Sequence, residues 1–286
     1  MNQTKSTPKF VYTPDSQVRN PRNLARGMWR VLKKSKELAW RLFVRDISAQ
    51  YRQSFLGIAW AFIPPIAMAL VFIFLQSKKV VSFGTTDIPY PVFTVVGTTL
   101  WQVFAESINA PLKSVMASKP MLAKINFPRE ALIVSAFYQS VFGFLIKSAI
   151  IVAVLILYPV NFTVGTLFAP IAILMIILLG LTIGLLLTPI GTLYRDISSG
   201  LTVILQFWFF ITPVVYPPPQ TFPYSIVAVI NPVSPLLIAA RDLITKGVLT
   251  NTIPFIVVCF LTICGMLLAW LIFRVALPII IERMSA

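Results

Sequence analysis

The stretch FTVGTLFAPIAILMIILLGLTIGLLLTPIGTL, residues 162–193, is almost entirely apolar and holds no charged side chain. A membrane-spanning α-helix needs about 20 consecutive apolar residues, so this stretch can cross a bilayer with some tilt. Of the 286 residues in the chain, 57% are hydrophobic and 12% are charged, whereas a soluble domain carries about 25% charged residues. This composition excludes an ordinary soluble enzyme and an intrinsically disordered chain, and it predicts an integral membrane protein.

Five further stretches have a similar apolar character, which predicts an all-α protein with six transmembrane helices. The predicted spans are residues 55–76, 88–108, 131–158, 162–193, 197–216 and 253–273. A seventh apolar stretch, 222–249, is interrupted by Pro232 and Pro235 and carries three charged residues. It therefore predicts short re-entrant or interfacial helices instead of a full span.

Basic residues are distributed unevenly between the predicted loops. Nineteen Lys and Arg residues fall on the side of the membrane that holds the N-terminus, twelve of them in the first 55 positions, and four fall on the other side. Because cytoplasmic loops carry the excess of basic residues, both termini are predicted to be cytoplasmic. The net charge of +15 is therefore assigned to contact with anionic membrane lipids and not with nucleic acid.

The polar N-terminal part of the chain divides into two segments. Residues 1–21 contain three prolines among polar residues and are predicted to form a flexible cytoplasmic tail. Over residues 22–48, at about 100° per residue, basic side chains fall on one arc and apolar ones on the opposite arc. This pattern predicts an amphipathic helix in the cytoplasmic interface, with a basic helix packed on soluble protein as the alternative. Residues 274–286 are predicted to be a second cytoplasmic tail.

Residues that support metal or acid–base chemistry are scarce. The chain has no histidine, and its two cysteines, Cys259 and Cys264, lie in one apolar run. No G-x-x-x-x-G-K-[ST] phosphate loop occurs, and the few carboxylates are scattered, with only Glu106 and Glu130 near span ends. The sequence therefore predicts no metal site, no catalytic residue and no bound cofactor on this chain.

Three local patterns combine charged and aromatic residues around the first, fourth and fifth predicted spans. RDISAQYRQSFLGIAW (45–60) leads into the first span, YRDI (194–197) separates the fourth and fifth, and QFWFFITPVVYP (206–217) is followed by Asn231-Pro232. Considered alone, an Arg-Asp pair predicts a structural ion pair at a helix end, and an aromatic residue in a span predicts packing or lipid contact. The two pairs are Arg45 with Asp46 and Arg195 with Asp196.

In this order and spacing, the three patterns resemble the membrane subunit of ABC-2 type polysaccharide-exporting ABC transporters, over about residues 22–273. The resemblance implies a homodimeric permease that pairs with two copies of a separate ATPase subunit, which binds ATP and Mg. It implies export of a lipid-linked polysaccharide, with O-antigen favoured over capsule and teichoic acid, across the bacterial inner membrane. The energy for transport would then come from the partner subunit and not from chemistry on this chain.

The resemblance also implies two functional segments. Residues 111–129 correspond to a short coupling helix that docks into a cleft on the ATPase, with a solvated basic loop as the alternative. Residues 222–249 correspond to two short gate helices on the outer side. The predicted ATPase contacts are Met116, Lys119, Met121, Leu122, Ile125 and Arg129.

A lipid-linked glycan presents sugars and a pyrophosphate. Aromatic faces complement the apolar face of a sugar ring, and arginine can bind two phosphate oxygens at once. Lys147 lies within the span 131–158, where a cation costs at least about 2.5 kcal/mol, so it is expected to face a partner, a polar cavity or the path. A contact with an anionic lipid head is one hypothesis for Lys147. The candidate path residues are Tyr51, Arg52, Trp60, Lys147, Phe207, Trp208, Phe210 and Tyr216.

Three other functions remain open. A drug or lipid exporter of the same class would use the same machinery. A polyprenyl-linked membrane glycosyltransferase would need clustered acidic residues at a membrane face, and the sequence shows no such cluster. An ion-coupled secondary transporter would need a relay of charged residues within the spans, for which Lys147 is the main candidate.

Overall fold

A computed structural model describes residues 35–52, 54–81, 84–122, 124–125, 127–160, 163–194, 196–219 and 230–285. These ranges contain α1 (Lys36–Arg52), α2 (Ile63–Ser77), α3 (Tyr90–Leu122), α4 (Glu130–Leu157), α5 (Ala169–Gly191), α6 (Asp196–Ile211), α7 (Val233–Thr245) and α8 (Thr252–Ser285). Short 3₁₀-helices, Gly57–Ala61 and Val164–Phe168, precede α2 and α5. The predicted tail 1–21, the first part of the predicted interface helix and residues 222–229 of the predicted gate segment lie outside the described residues.

Among the residues that the structure describes, three helical segments are long and apolar enough to cross a membrane by length and composition. They are Glu130–Leu157, Val164–Gly191 and Thr252–Leu277, which coincide with the predicted spans 131–158, 162–193 and 253–273. The helices α2 and α6 are apolar but shorter, with 15 and 16 residues. The described part of the chain is therefore an all-helical, multi-pass membrane protein.

The first predicted span, 55–76, begins later than expected. Residues 57–61 form a 3₁₀-helix, and the α-helix starts only at Ile63. Pro64 and Pro65 occupy its first turn, where a missing N–H donor costs nothing because that donor has no partner within the helix. The two prolines thus set the start of α2.

The largest difference from the sequence-based prediction concerns α3. A span over 88–108 and a separate coupling helix over 111–129 were expected, but one helix of 33 residues continues through Pro111 to Leu122. At about 1.5 Å per residue it is roughly 50 Å long. Pro111 is buried, and its ring lies beside Gly184 of α5. Packing against α5 therefore outweighs the helix-breaking tendency of proline.

The helix α5 forms the centre of the protein. Of the most apolar part of the segment Val164–Gly191, 61% is buried, whereas only 17% of the corresponding part of Thr252–Leu277 in α8 is buried. A Cβ atom on Gly180 would lie 2.6 Å from the Cβ of Ser107, and one on Gly184 would overlap the carbonyl oxygen of Ile108. Since glycine has no side chain at these two positions, one turn apart, α5 can approach the backbone of α3 closely.

The helix α1 packs lengthwise on the spans. Ala39 and Leu42 are buried in a small hydrophobic core with Val115 and Leu122 of α3 and residues 131–133 of α4. Aromatic contacts link α1 to α4 further along. The ring centroids of Trp40 and Phe43 each lie 6.0 Å from that of Tyr138, and the ring of Phe43 also lies 5.6 Å from that of Phe142. One face of α1 is therefore covered by α3 and α4, and the other is exposed.

Candidate functional site

The polar residues of the last sequence pattern meet at the end of the protein that carries the predicted outer loops. Asn231 is buried and accepts a hydrogen bond from the indole Nε1 of Trp208 at 3.0 Å. Its Nδ2 donates to Oγ1 of Thr212 at 2.8 Å, and its Oδ1 also accepts from the backbone N–H of Val233 at 3.1 Å. Asn231 thus joins the end of α6 to the start of α7.

Arg241 of α7 anchors the loop that follows α6. It is buried, and its Nη2 donates to the carbonyl oxygens of Val214 at 2.6 Å and Pro213 at 3.1 Å. Its guanidinium stacks on Phe93 of α3, 3.7 Å from the ring centroid. Gly97, one turn along α3, leaves the space for this arrangement, because a Cβ there would lie 2.6 Å from Nη2. Arg241 therefore fixes α3, α7 and the loop to one another.

The loop after α7 is tied to two other loops at the same end. Lys246 donates to the carboxylate of Asp87 at 2.7 Å, and its carbonyl oxygen accepts from Thr163 at 3.0 Å. The hydrogen bond and positive charge of Lys246 hold the pKa of the Asp87 carboxyl below its usual value. Asp242 accepts a hydrogen bond from Thr250. The loops between α2 and α3, α4 and α5, and α7 and α8 thus converge.

The predicted aromatic path residues divide into two groups. Trp208 is partly exposed; it packs edge-on against Trp101 and Phe104 and donates a hydrogen bond to Asn231, so its side chain also has a packing role. The hydroxyl of Tyr216 donates to backbone carbonyls at the end of α6. Trp60, Phe207 and Phe210 have exposed side chains. The exposed group remains available for contact with cargo, lipid or a second subunit.

The Arg45–Asp46 pair links α1 to two spans. Nη2 of Arg45 donates to Oδ1 of Asp46 at 2.7 Å and to Oγ of Ser118 at 2.9 Å. The other carboxylate oxygen of Asp46 accepts from Nε2 of Gln139 on α4 at 3.0 Å. Arg195 lies outside the described residues. Asp196 begins α6, where the helix dipole stabilises a negative charge.

Lys147 has a partner within the protein. Its Nζ lies 2.5 Å from Oε2 of Glu106 on α3. The side chain of Lys147 is 2% exposed and that of Glu106 is 45% exposed. Gly143, one turn before Lys147, makes room for the carboxylate, since a Cβ there would lie 3.1 Å from Oε2. The hypothesis that Lys147 reaches an anionic lipid head is therefore replaced by a pair between α3 and α4.

Tyr51 and Arg52 lie at the end of α1. The hydroxyl of Tyr51 is half-buried, and its pKa is raised, first by burial and then by the negative charge of Glu106. The Arg52 side chain is exposed. The end of α1 thus lies close to the Glu106–Lys147 pair, although these residues are far apart in the sequence.

The predicted ATPase contacts are only partly exposed. Met116, Lys119 and Ile125 are exposed, and Met121 and Arg129 are partly exposed. Leu122 is buried in the small core. Its predicted role as a contact for another protein is therefore corrected, because its side chain already packs within this chain.

Sequence reasoning did not identify Glu106 as the partner of Lys147. A signal was present, because each is the one charged residue within its predicted span, 88–108 and 131–158, and opposite charges in neighbouring spans tend to pair. It also missed Gly97 and Gly143, whose importance depends on residues distant in the sequence. The G-x-x-x-G spacing of Gly180 and Gly184 was a further readable signal.

A model of the ABC-2 type transporter family matches residues 37–245. The chain belongs to this family. The matched range includes α1, the Glu106–Lys147 pair, Asn231 and Arg241, so it covers most of the contacts described above. As an ABC-2 transporter the protein is a transport subunit and not a catalytic one.

Three relatives carry the name O-antigen export system permease protein RfbA. The protein from Myxococcus xanthus is 25% identical over 177 residues, which cover 62% of this chain and 66% of that protein. One from Klebsiella pneumoniae is 26% identical over 230 residues, covering 78% of this chain and 86% of the relative. A second Klebsiella protein is 25% identical over 210 residues, covering 72% and 79%. The similarity therefore extends over most of the length of each of these relatives.

Proposed function

We propose that this ABC-2 transporter chain is the permease subunit of an ATP-driven exporter that moves lipid-linked O-antigen across the bacterial inner membrane. The observation that carries the proposal is the family match over residues 37–245 together with relatives named O-antigen export permeases. Two copies of the chain form the path, and two copies of a separate ATPase bind ATP and Mg. Teichoic acid, capsule, drug or lipid are the alternative cargoes.

The proposed topology has six spans and two cytoplasmic termini. It adds α2, α3 and α6 to the three long apolar segments. The length of α3, roughly 50 Å at 1.5 Å per residue, allows it to cross the hydrocarbon core of about 30 Å and to project beyond it. The excess of basic residues on one side supports the orientation. The gate role of α7 is supported by its position against the loop held by Arg241.

We place the ATPase contact at the projecting end of α3 and the turn that leads to α4. The exposed apolar side chains of Met116 and Ile125 lie there, with Lys119 nearby. Movement of this end would reach α1 through the hydrogen bond between Arg45 and Ser118. The ATPase drives transport to the extent that its nucleotide states bind this end with different affinities.

A pull-down tests the partner and its contact site. The tagged chain is isolated from its native membrane in mild detergent, and stoichiometric partners are identified by mass spectrometry. We expect one ATPase at a 1:1 ratio, and a Met116→Glu/Ile125→Glu variant should recover at least about tenfold less of it. The reason is that a buried, uncompensated charge costs several kcal/mol, and 1.4 kcal/mol already equals tenfold in affinity.

Val248→Glu is the matched control, because Val248 is an exposed apolar residue in the loop at the opposite end of the protein. It should leave ATPase recovery unchanged. Leu122→Glu is unsuitable, since it would disrupt the small core. Equal recovery of the ATPase with the double variant and with the control would contradict the proposed contact site.

A further inference from the structure

Polar residues form a stripe along one face of α3. Gln102, Glu106 and Asn109 are spaced by four and three residues, so they lie on the same side of the helix, and all three are at least partly exposed. Their neighbours Phe104 and Ile108 are buried. Polar groups in a spanning helix are costly when they face lipid. This face therefore meets water, cargo or protein.

The ion pair is oriented so that its carboxylate, and not its ammonium group, reaches the exposed face of the stripe. Lys147 on α4 is 2% exposed, while the side chain of Glu106 is 45% exposed. The exposed surface at this level thus presents a carboxylate and two amides, with the compensating cation hidden. Lys113 continues the stripe about 10 Å further towards the proposed ATPase contact, where its side chain is exposed.

We infer that the stripe of Gln102, Glu106 and Asn109 lines the polysaccharide path and selects hydroxyl-rich, uncharged glycans over polymers with phosphate in each repeat. This inference rests on the proposed export function. A carboxylate accepts strong, charge-assisted hydrogen bonds from hydroxyl groups. The same carboxylate repels a phosphate, and the repulsion is stronger away from bulk water.

Lys147 acts in this scheme through Glu106. It fixes the position of one carboxylate oxygen, and Gly143 leaves space for that oxygen. Removal of Lys147 alone would leave an uncompensated charge between two spans, which is strongly destabilising. Lys147 is therefore a positioning residue, and Glu106 is the residue that meets the cargo.

The test uses the full complex of this chain with its ATPase, reconstituted in inside-out vesicles. Two probes share a polyprenyl pyrophosphate: one carries an uncharged oligomannose and the other poly(glycerol phosphate). ATP-dependent protection of each probe inside the vesicles is measured. The natural protein should favour the oligomannose, and Glu106→Gln should reduce that preference about tenfold, as expected for loss of one charged hydrogen bond. Because Glu106→Gln also leaves the buried Lys147 without its carboxylate, the assembly of the variant complex is checked by size exclusion.

The exchange variant Glu106→Lys/Lys147→Glu provides a sharper readout. It keeps an ion pair between α3 and α4 but exposes the cation, so the preference should shift towards poly(glycerol phosphate). Glu37→Gln is the matched control, because Glu37 is an exposed carboxylate on α1 that pairs with Arg41 at 2.7 Å. It should leave the preference unchanged.

Several results would overturn the inference. One is an unchanged cargo ratio for Glu106→Gln, with both probes still moving on ATP; the proposed export function then stands and the stripe is not the selectivity determinant. Another is a Glu106→Gln complex that loses one permease copy on size exclusion without a change in cargo ratio, which would make the stripe a subunit contact. Failure of the natural complex to move either probe with ATP contradicts the export function itself, and the inference with it.

Discussion

Gly184→Leu is expected to eliminate folded protein from the membrane. A Cβ atom on Gly184 would overlap the carbonyl oxygen of Ile108, and it would also lie 3.1 Å from Cδ of Pro111. Overpacking a core ordinarily costs about 1–3 kcal/mol, but here the obstacle is the backbone of α3, which cannot rotate aside. The expected cost is therefore above that range. The measurement is the monodisperse yield on size exclusion after detergent extraction, together with thermal stability.

Gly200→Leu is the control for this substitution. Gly200 lies in α6, and a Cβ there meets no atom within 4 Å. The same change of residue should therefore leave yield and stability nearly unaltered. If the Gly184 and Gly200 variants behaved alike, the close packing of α3 on α5 would be wrong.

Arg241→Leu is expected to abolish export and to lower thermal stability. It removes the hydrogen bonds to the carbonyl oxygens of Pro213 and Val214 and the stacking on Phe93. A buried acceptor left without a donor costs about 1–3 kcal/mol, and a desolvated cation–π contact contributes about 2 kcal/mol or more. The loop after α6 should then separate from α7. Export is measured by surface polysaccharide in cells that carry the variant.

Two further variants show whether the guanidinium matters. Arg241→Lys keeps the charge but has no planar fork, so we expect an intermediate loss. Arg41→Leu is the control. It removes an arginine whose ion pair with Glu37 is exposed, and because such pairs contribute under about 1 kcal/mol, export and stability should stay nearly unchanged. Normal export and stability for Arg241→Leu would contradict the anchoring role.

The long apolar segments were predictable from the sequence because composition alone determines them. The runs at 131–158, 162–193 and 253–273 are long and predominantly apolar, so no knowledge of neighbouring helices was needed to place them. The resemblance to ABC-2 exporters was equally readable, since it depends on the residues of the motifs themselves. The family match over residues 37–245 confirmed it.

The extent of α3 was not predictable in the same way. Local rules end a helix near a proline, yet α3 continues through Pro111 and Pro120. What holds it together at Pro111 is contact with α5, a partner more than 70 residues away in the sequence. Tertiary packing of this kind cannot be derived from the residues around the proline.

Which side chains of the candidate site are buried could not be predicted from the sequence, for a related reason. Leu122 and Met116 both belong to the apolar part of the predicted coupling segment, but Leu122 is buried and Met116 is exposed. Trp208 looks like its neighbours Phe207 and Phe210 in sequence, yet its indole binds Asn231. The difference depends on which face each helix turns towards the core. That orientation depends on the packing of all the helices.

We propose that this chain, together with a separate ATPase, moves a lipid-linked glycan across the membrane. The most direct measurement reconstitutes the two proteins in vesicles and follows a polyprenyl-pyrophosphate-linked O-antigen into the lumen. We expect translocation that requires both proteins and ATP and that stops with an ATPase variant unable to hydrolyse ATP. Translocation by this chain alone, without ATP and driven by a proton gradient, would contradict it.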